Sequence, residues 1–148
     1  MQTSDAGRKM IEGFEGCRLE AYQDIVGVWT IGYGSTGPGI GPGVVWTQEQ
    51  CDQNLSDRLT KEFEPVVSYV SDQTATTQAQ FDAMVCLAYN IGAGGFAHST
   101  TAREHSAGNY HAAADAFLMW DRAGGEVCEP LLHRRQAERQ VYLGDAYP

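Results

Sequence analysis

Glu15-Gly-Cys-Arg-Leu-Glu-Ala-Tyr-Gln-Asp24-Ile-Val-Gly-Val-Trp-Thr30-Ile-Gly-Tyr-Gly34 is the stretch whose reading decides this chain. It joins two kinds of periodicity. Before it, Ala6, Met10, Ile11 and Phe14 form an apolar stripe with helical spacing, and Ser4 can cap a helix running to about Gly16. Glu15 follows Phe14 at the end of that helix. A carboxyl group there faces unsatisfied helix carbonyls, which disfavours its charged form. Within the stretch, Tyr22, Val28, Trp29, Ile31 and Tyr33 are strand formers, and Gly27 supplies a turn. The spacing predicts a hairpin or a three-stranded sheet over 20–34. Strand alternation puts Thr30 on one face with Gly32 and Gly34, so a chain-like ligand would find little there but backbone.

Further along, 35–46 is a Gly/Pro loop. Thr47-Gln-Glu-Gln50 has the capping-box pattern. Cys51, Leu55, Leu59 and Phe63 then repeat every four residues, and Pro65 should end or kink that helix. Thr77-Gln-Ala-Gln80 is a second capping box. It opens the most apolar helix, through Phe81, Met84, Val85 and Leu87, which stops at Asn90-Ile-Gly92. Ser99 is expected to cap a short helix. Its segment Thr101-Ala-Arg-Glu-His105 is polar enough to suggest an exposed one. Asn109 is expected to cap another helix, running through Arg122 until Gly124-Gly125 breaks it. Pro130 fits the first turn of the last helix. A small N-terminal β element followed by helices makes the fold class α+β.

The whole chain narrows the function. Its 148 residues fit one domain with a core that needs no disulfide or metal. Ten basic against 19 acidic side chains leave a net charge of −9, which argues against nucleic acid and against anionic membrane surfaces. No segment approaches the roughly 20 apolar residues that span a bilayer. The N-terminus has neither the basic nor the apolar region of a secretory signal. The expectation is synthesis in the cytoplasm. Cys17, Cys51, Cys86 and Cys128 form no CxxC pair and read as small core residues. His98, His105, His111 and His133 lack ligand spacing, so neither a metal nor another cofactor is expected.

Two carboxyl groups in different surroundings, with a hydroxyl able to hold a water, are the parts that hydrolysis of a glycosidic bond requires. By spacing alone, Glu15 and Asp24 read first as a solvated helix-end residue and a turn residue.

The full string weighs differently. Glu15-Gly16, Ala21-Tyr22, Asp24, Gly27 and Trp29-Thr-Ile-Gly-Tyr-Gly34 resemble the signature of the phage-type lysozymes, or endolysins, the glycoside hydrolase group that contains the lysozyme of T-even phages. Gln80-Phe-Asp-Ala-Met, Tyr89-Asn90-Ile-Gly92, Phe96, Ser99-Thr100, Phe117, Trp120, Gly124-Gly125 and Arg134-Arg135…Glu138 extend the resemblance over nearly the whole chain. Within that family the chain resembles the short endolysins of lambdoid-type phages and prophages. Ser35 stands where the family often has His and receives no catalytic role.

The resemblance implies a single lysozyme-like catalytic domain over 1–148. Its β-rich part would cover about 18–46, and its helical part about 47–148 plus the N-terminal helix, with an active-site cleft between them. It implies hydrolysis of the β-1,4 bond between N-acetylmuramic acid and N-acetylglucosamine in peptidoglycan, by an inverting route, for host-cell lysis. Glu15 would be the general acid, Asp24 would help activate or orient the attacking water, and Thr30 would hold that water. Tyr33, Gly34, Asn90 and Phe96 are the candidate substrate contacts, with a helix cap for Asn90 and core for Phe96 as the alternatives. Arg134, Arg135 and Arg139, on the last helix with Glu138, read as structural ion pairs or as a substrate clamp. Peptidoglycan glycan strands would be the partner of a monomer with no membrane insertion. A separate holin would release the protein to the wall. A lytic transglycosylase cutting the same bond and a non-catalytic wall-binding module are the rival readings.

Overall fold

Ser4 starts α1 (Asp5–Glu15) as expected, its hydroxyl accepting from the Gly7 amide at 3.0 Å. The buried face differs from the sequence reading. Met10 and Ile11 are buried, but Gly7 replaces Ala6 in the interior. The cause is Asp82, whose carboxyl carbon would lie 2.5 Å from a Cβ on Gly7. The computed structural model describes all 148 residues and divides them into two units, Glu12–Arg58 and Met1–Ile11 with Leu59–Pro148.

In the Glu12–Arg58 unit, Gly16 takes a left-handed φ of 65° and turns the chain from α1 into β1 (Arg18–Gln23). β1 pairs antiparallel with β2 (Trp29–Gly32), Tyr22 opposite Thr30 and Gln23 opposite Trp29, with a bulge between Arg18 and Tyr22. Residues 44–46 run along the other edge of β1. The Ala21 amide donates to the Val44 carbonyl and the Trp46 amide to that of Leu19. The sheet is therefore two-stranded with a partial third member. β2 ends at Gly32 because Ile31 and Ser35 pair across the three-residue turn 32–34. α2 (Gln48–Arg58) packs on β2. Its capping box is complete: Thr47 accepts from the Gln50 amide, and Gln50 accepts from that of Thr47.

The other unit starts with a π-helical turn, Leu59–Phe63, followed by α3 (Glu64–Ser71). Pro65 lacks the amide and the room that a tight helix needs, and the widened turn just before it absorbs both defects. Behind its capping box, α4 (Gln78–Ile91) is buried without a break from Phe81 to Tyr89 and forms the centre of this core, packed on α3 and α8 (Glu129–Tyr142). Gly92, at φ 94°, stops it. α5 (Ala93–Ala97), α6 (Thr100–Ser106) and α7 (Tyr110–Ala116) follow.

Two expectations need correction here. The helix after Asn109 does not reach Arg122, because a short 3-10 turn closes it at Met119. Beyond it, β3 (Arg122–Ala123) and β4 (Glu126–Val127) form a small hairpin. Its turn is Gly124-Gly125, both at positive φ, the geometry that two-residue hairpin loops prefer. Nor is α6 an exposed helix. Thr101, Ala102 and His105 are buried, and the polar atoms of Thr101 and His105 are satisfied internally. Tyr142 meets Nδ1 of His105 at 2.6 Å and Thr76 meets Nε2 at 2.8 Å. The α+β class stands. No helix is long and apolar enough to cross a membrane.

Candidate active site

Glu15, Asp24, Thr30, Tyr33 and Gly34 all belong to the Glu12–Arg58 unit. The half-buried Glu15 is the last residue of α1, and the left-handed Gly16 carries the chain away from it. Across from it lies the 32–34 turn. Gly34 sits at φ 86°, and a Cβ there would be 3.4 Å from Glu15 Oε1. The backbone of the turn therefore lies beside this carboxyl, and the positive φ is what favours glycine there.

Asp24 builds the hairpin that it belongs to. Its Oδ1 accepts from the amides of Val26 at 3.0 Å and Val28 at 2.9 Å, while its own amide donates to the Val28 carbonyl. This is the turn role that spacing alone allowed, and it sets the carboxylate's orientation through one oxygen. Thr30 is only 6% exposed, and its hydroxyl donates to the Val28 carbonyl at 3.0 Å. With its proton committed, that hydroxyl has lone pairs to offer. Asp24 and Thr30 are thus bound to the backbone of the same residue, Val28, one through its amide and the other through its carbonyl.

Tyr33 does not present a face to solvent. It is 7% exposed, and its hydroxyl donates to Asp52 Oδ1 at 3.0 Å and accepts from Gln48 Nε2 at 3.1 Å. Burial, and after it the bond to Asp52, push its pKa up. Ser35 is held to the same helix, donating to Asn54 Oδ1 and accepting from Arg58 at 3.2 Å. Gln48, Asp52, Asn54 and Arg58 are functional candidates that the sequence reading missed. The available signal was the (i, i+4) spacing of Gln48 and Asp52, which puts both on one face of a capped helix.

Asn90 and Phe96 belong to the other unit. Asn90 is exposed, near the end of α4, with its Oδ1 accepting from Arg135 at 2.9 Å. Phe96 is fully buried and has no surface to offer a sugar, which is the core alternative. Arg134 and Arg135 are buried and ion-paired. Arg134 donates to Glu138 at 3.2 Å and to the Cys86 carbonyl at 3.1 Å. Arg135 donates to Glu138 Oε2 at 3.1 Å, while its Nε lies 2.7 Å from Oε1 as an ion pair too bent to be a hydrogen bond. All four cysteines are free thiols. Burial and the neighbouring Cys17 push Cys51 up to about 11. No group of three His, Cys, Asp or Glu side chains is placed to hold a metal ion.

A helix-end glutamate packed on a glycine turn, beside a hairpin bearing Asp and Thr, is the arrangement that a family match has to explain. A model of the phage lysozyme family matches residues 12–138. The chain belongs to the phage lysozyme family. As a member it is a lysozyme-type enzyme, a glycoside hydrolase. It is 39% identical over 147 residues to the endolysin of Salmonella phage P22, covering 97% of this chain and 99% of that protein. Identity to the endolysin of Bacillus phage B103 is 37% over 145 residues, and there the chain spans only 54% of its relative's length. Among solved structures, the endolysin of Escherichia coli O157:H7 phage FAHEc1 superposes with a TM-score of 0.84 at 37% identity, covering all of this chain and 97% of that one. In this phage lysozyme the match begins at Glu12, the first residue of the unit that carries Glu15, Asp24 and Thr30.

Proposed function

We propose that the protein is an endolysin that hydrolyses the β-1,4 bond between N-acetylmuramic acid and N-acetylglucosamine in bacterial peptidoglycan, in host-cell lysis. The observation that carries the reading is the Glu15 carboxyl against the bare Gly34 backbone, with Asp24 and Thr30 in the same hairpin. Glu15 is the general acid. It protonates the glycosidic oxygen as the bond to the anomeric carbon breaks. The attacking water donates one hydrogen to the lone pairs of Thr30, whose own proton is engaged by Val28. Asp24 receives the water's other proton. Attack from the face opposite the leaving group inverts the anomeric carbon.

Both units act as one catalytic domain of a monomer. The glycan strand is the partner, and after synthesis in the host cytoplasm the protein gains access to the wall once a holin has opened the membrane. The test is clearing of purified cell walls by the wild type and by Glu15→Gln. Glu15→Gln should keep the fold and abolish clearing, and near-normal clearing would sink the assignment. Mass spectrometry of the products separates hydrolysis, which leaves a reducing sugar, from transglycosylation, which leaves an anhydro sugar.

A further inference from the structure

The turn that meets Glu15 has little stiffness of its own. Tyr33 stands between Gly32 at φ 65° and Gly34 at φ 86°, and glycine leaves the backbone the most freedom. The backbone pairing of Ile31 with Ser35 closes the turn without specifying where its tip lies. What specifies the tip comes from α2.

Gln48 and Asp52 lie one helical turn apart and are joined, Nε2 to Oδ1, at 2.9 Å. Asp52 takes the Tyr33 hydroxyl proton at 3.0 Å, and Gln48 donates to the same hydroxyl at 3.1 Å. Gln48 Nε2 also lies 3.7 Å from Cys17 Sγ, two residues beyond Glu15. One amide group therefore reaches both chain segments whose contact is Glu15 against Gly34. Beneath the turn, a Cβ on Gly32 would lie 3.2 Å from the Trp46 ring and 3.6 Å from Cys51 Sγ, so the turn is seated as well as tied. The raised pKa of Tyr33 keeps its hydroxyl a donor throughout the neutral range.

We propose that Gln48 and Asp52 are positioning residues, which set the place of Gly34 against the Glu15 carboxyl through Tyr33 and Cys17. This rests on the assignment of Glu15 as the acid. A displacement of about an ångström at a reacting group is enough to cost one to two powers of ten in rate. The effect falls on kcat, because the tether acts through the acid's surroundings.

The experiment measures kcat and KM on soluble peptidoglycan fragments for Tyr33→Phe, Asp52→Ala, Asp52→Asn and the Tyr33→Phe/Asp52→Ala double variant. Wild type and Glu15→Gln serve as references, and thermal midpoints are recorded for all. Tyr33→Phe and Asp52→Ala should each lower kcat about tenfold with KM little changed. The double variant should be little slower than the worse single, because both singles already break the Tyr33–Asp52 bond. Asp52→Asn keeps an oxygen for the Tyr33 hydroxyl and should regain most of the rate lost in Asp52→Ala. An unchanged kcat in Tyr33→Phe, losses that multiply in the double variant, or a change confined to KM would each overturn the proposal. Should Asp52→Ala not fold, Tyr33→Phe and Asp52→Asn still decide, since each alters one polar group. If Glu15→Gln were as fast as wild type, the acid assignment would fall and take the clamp with it. A dead Glu15→Gln beside normal clamp variants removes the clamp alone.

Discussion

Gly34 meets Glu15 so closely that a single added carbon would stand 3.4 Å from the Glu15 carboxyl oxygen, at a backbone φ of 86° that side chains rarely adopt. Gly34→Ala therefore carries one fault. Backbone strain should lower stability by about 1–2 kcal/mol. The added methyl would meet the Glu15 oxygen only at ordinary contact distance, so wall clearing should fall no further than that loss accounts for. Denaturant melts beside lysis rates check both, and an alanine variant with full activity and unchanged stability would contradict the packing.

Asp24 has separable duties. Asp24→Asn keeps the oxygen that accepts from the Val26 and Val28 amides, so its stability should match the wild type while its rate falls less than that of Glu15→Gln. Asp24→Ala removes the acceptor of both exposed amides and should cost about 0.5–1.5 kcal/mol as well as activity. Equal melting of the two variants would show that the turn does not depend on the carboxylate oxygen.

Gly7 offers a test remote from the chemistry. Asp82 is fully buried and accepts from the Ser4 amide, the Ser4 hydroxyl, Gln78 and the Tyr147 hydroxyl, joining both ends of the chain to α4. A methyl group on Gly7 would collide with that carboxylate at 2.5 Å. Gly7→Ala should destabilise by about 2 kcal/mol or more, although alanine is the better helix former, and calorimetry reads the loss directly.

His105 should give the fold a defined acid sensitivity. Burial lowers its pKa from the ordinary 6.5. The folded value lies below the unfolded one, so the unfolded chain takes the proton first. The contribution to stability is complete above 6.5 and is lost as pH falls from there through the folded value. Thermal midpoints measured from pH 7.5 down to 5 should fall for the wild type and fall less steeply for His105→Gln. Parallel curves would remove His105 as the cause.

Charge predicts a salt response. The Glu12–Arg58 unit holds seven acidic and two basic side chains, and the chain as a whole stands at −9. Peptidoglycan carries stem-peptide carboxylates, so the lytic rate should rise from very low to moderate ionic strength as screening shortens the repulsion to about 10 Å. A rate that falls steadily with salt would point to attraction by a local basic face.

Much of this molecule is written in local patterns. Ser4, Thr47, Thr77 and Ser99 announce their helices because a capping hydroxyl bonds amides two or three residues away, which needs no distant partner. The Glu15, Asp24 and Thr30 string was legible as a unit for the same reason, since one helix end and one hairpin hold it. Long-range packing decided the rest. His105 is buried because Thr76 and Tyr142 arrive from 29 and 37 residues away to satisfy its ring, and no local pattern around 101–105 carries that information. Gly7 faces inward because Asp82 stands opposite. Tyr33 is a tethered ring because α2 returns beneath the turn with Gln48 and Asp52. By itself the sequence determined the secondary structure near each cap and the placement of Glu15 at a helix end and Asp24 in a hairpin turn. Only the tertiary structure decided which polar side chains are buried and what holds the glycine turn against Glu15, because those outcomes depend on partners brought together through space.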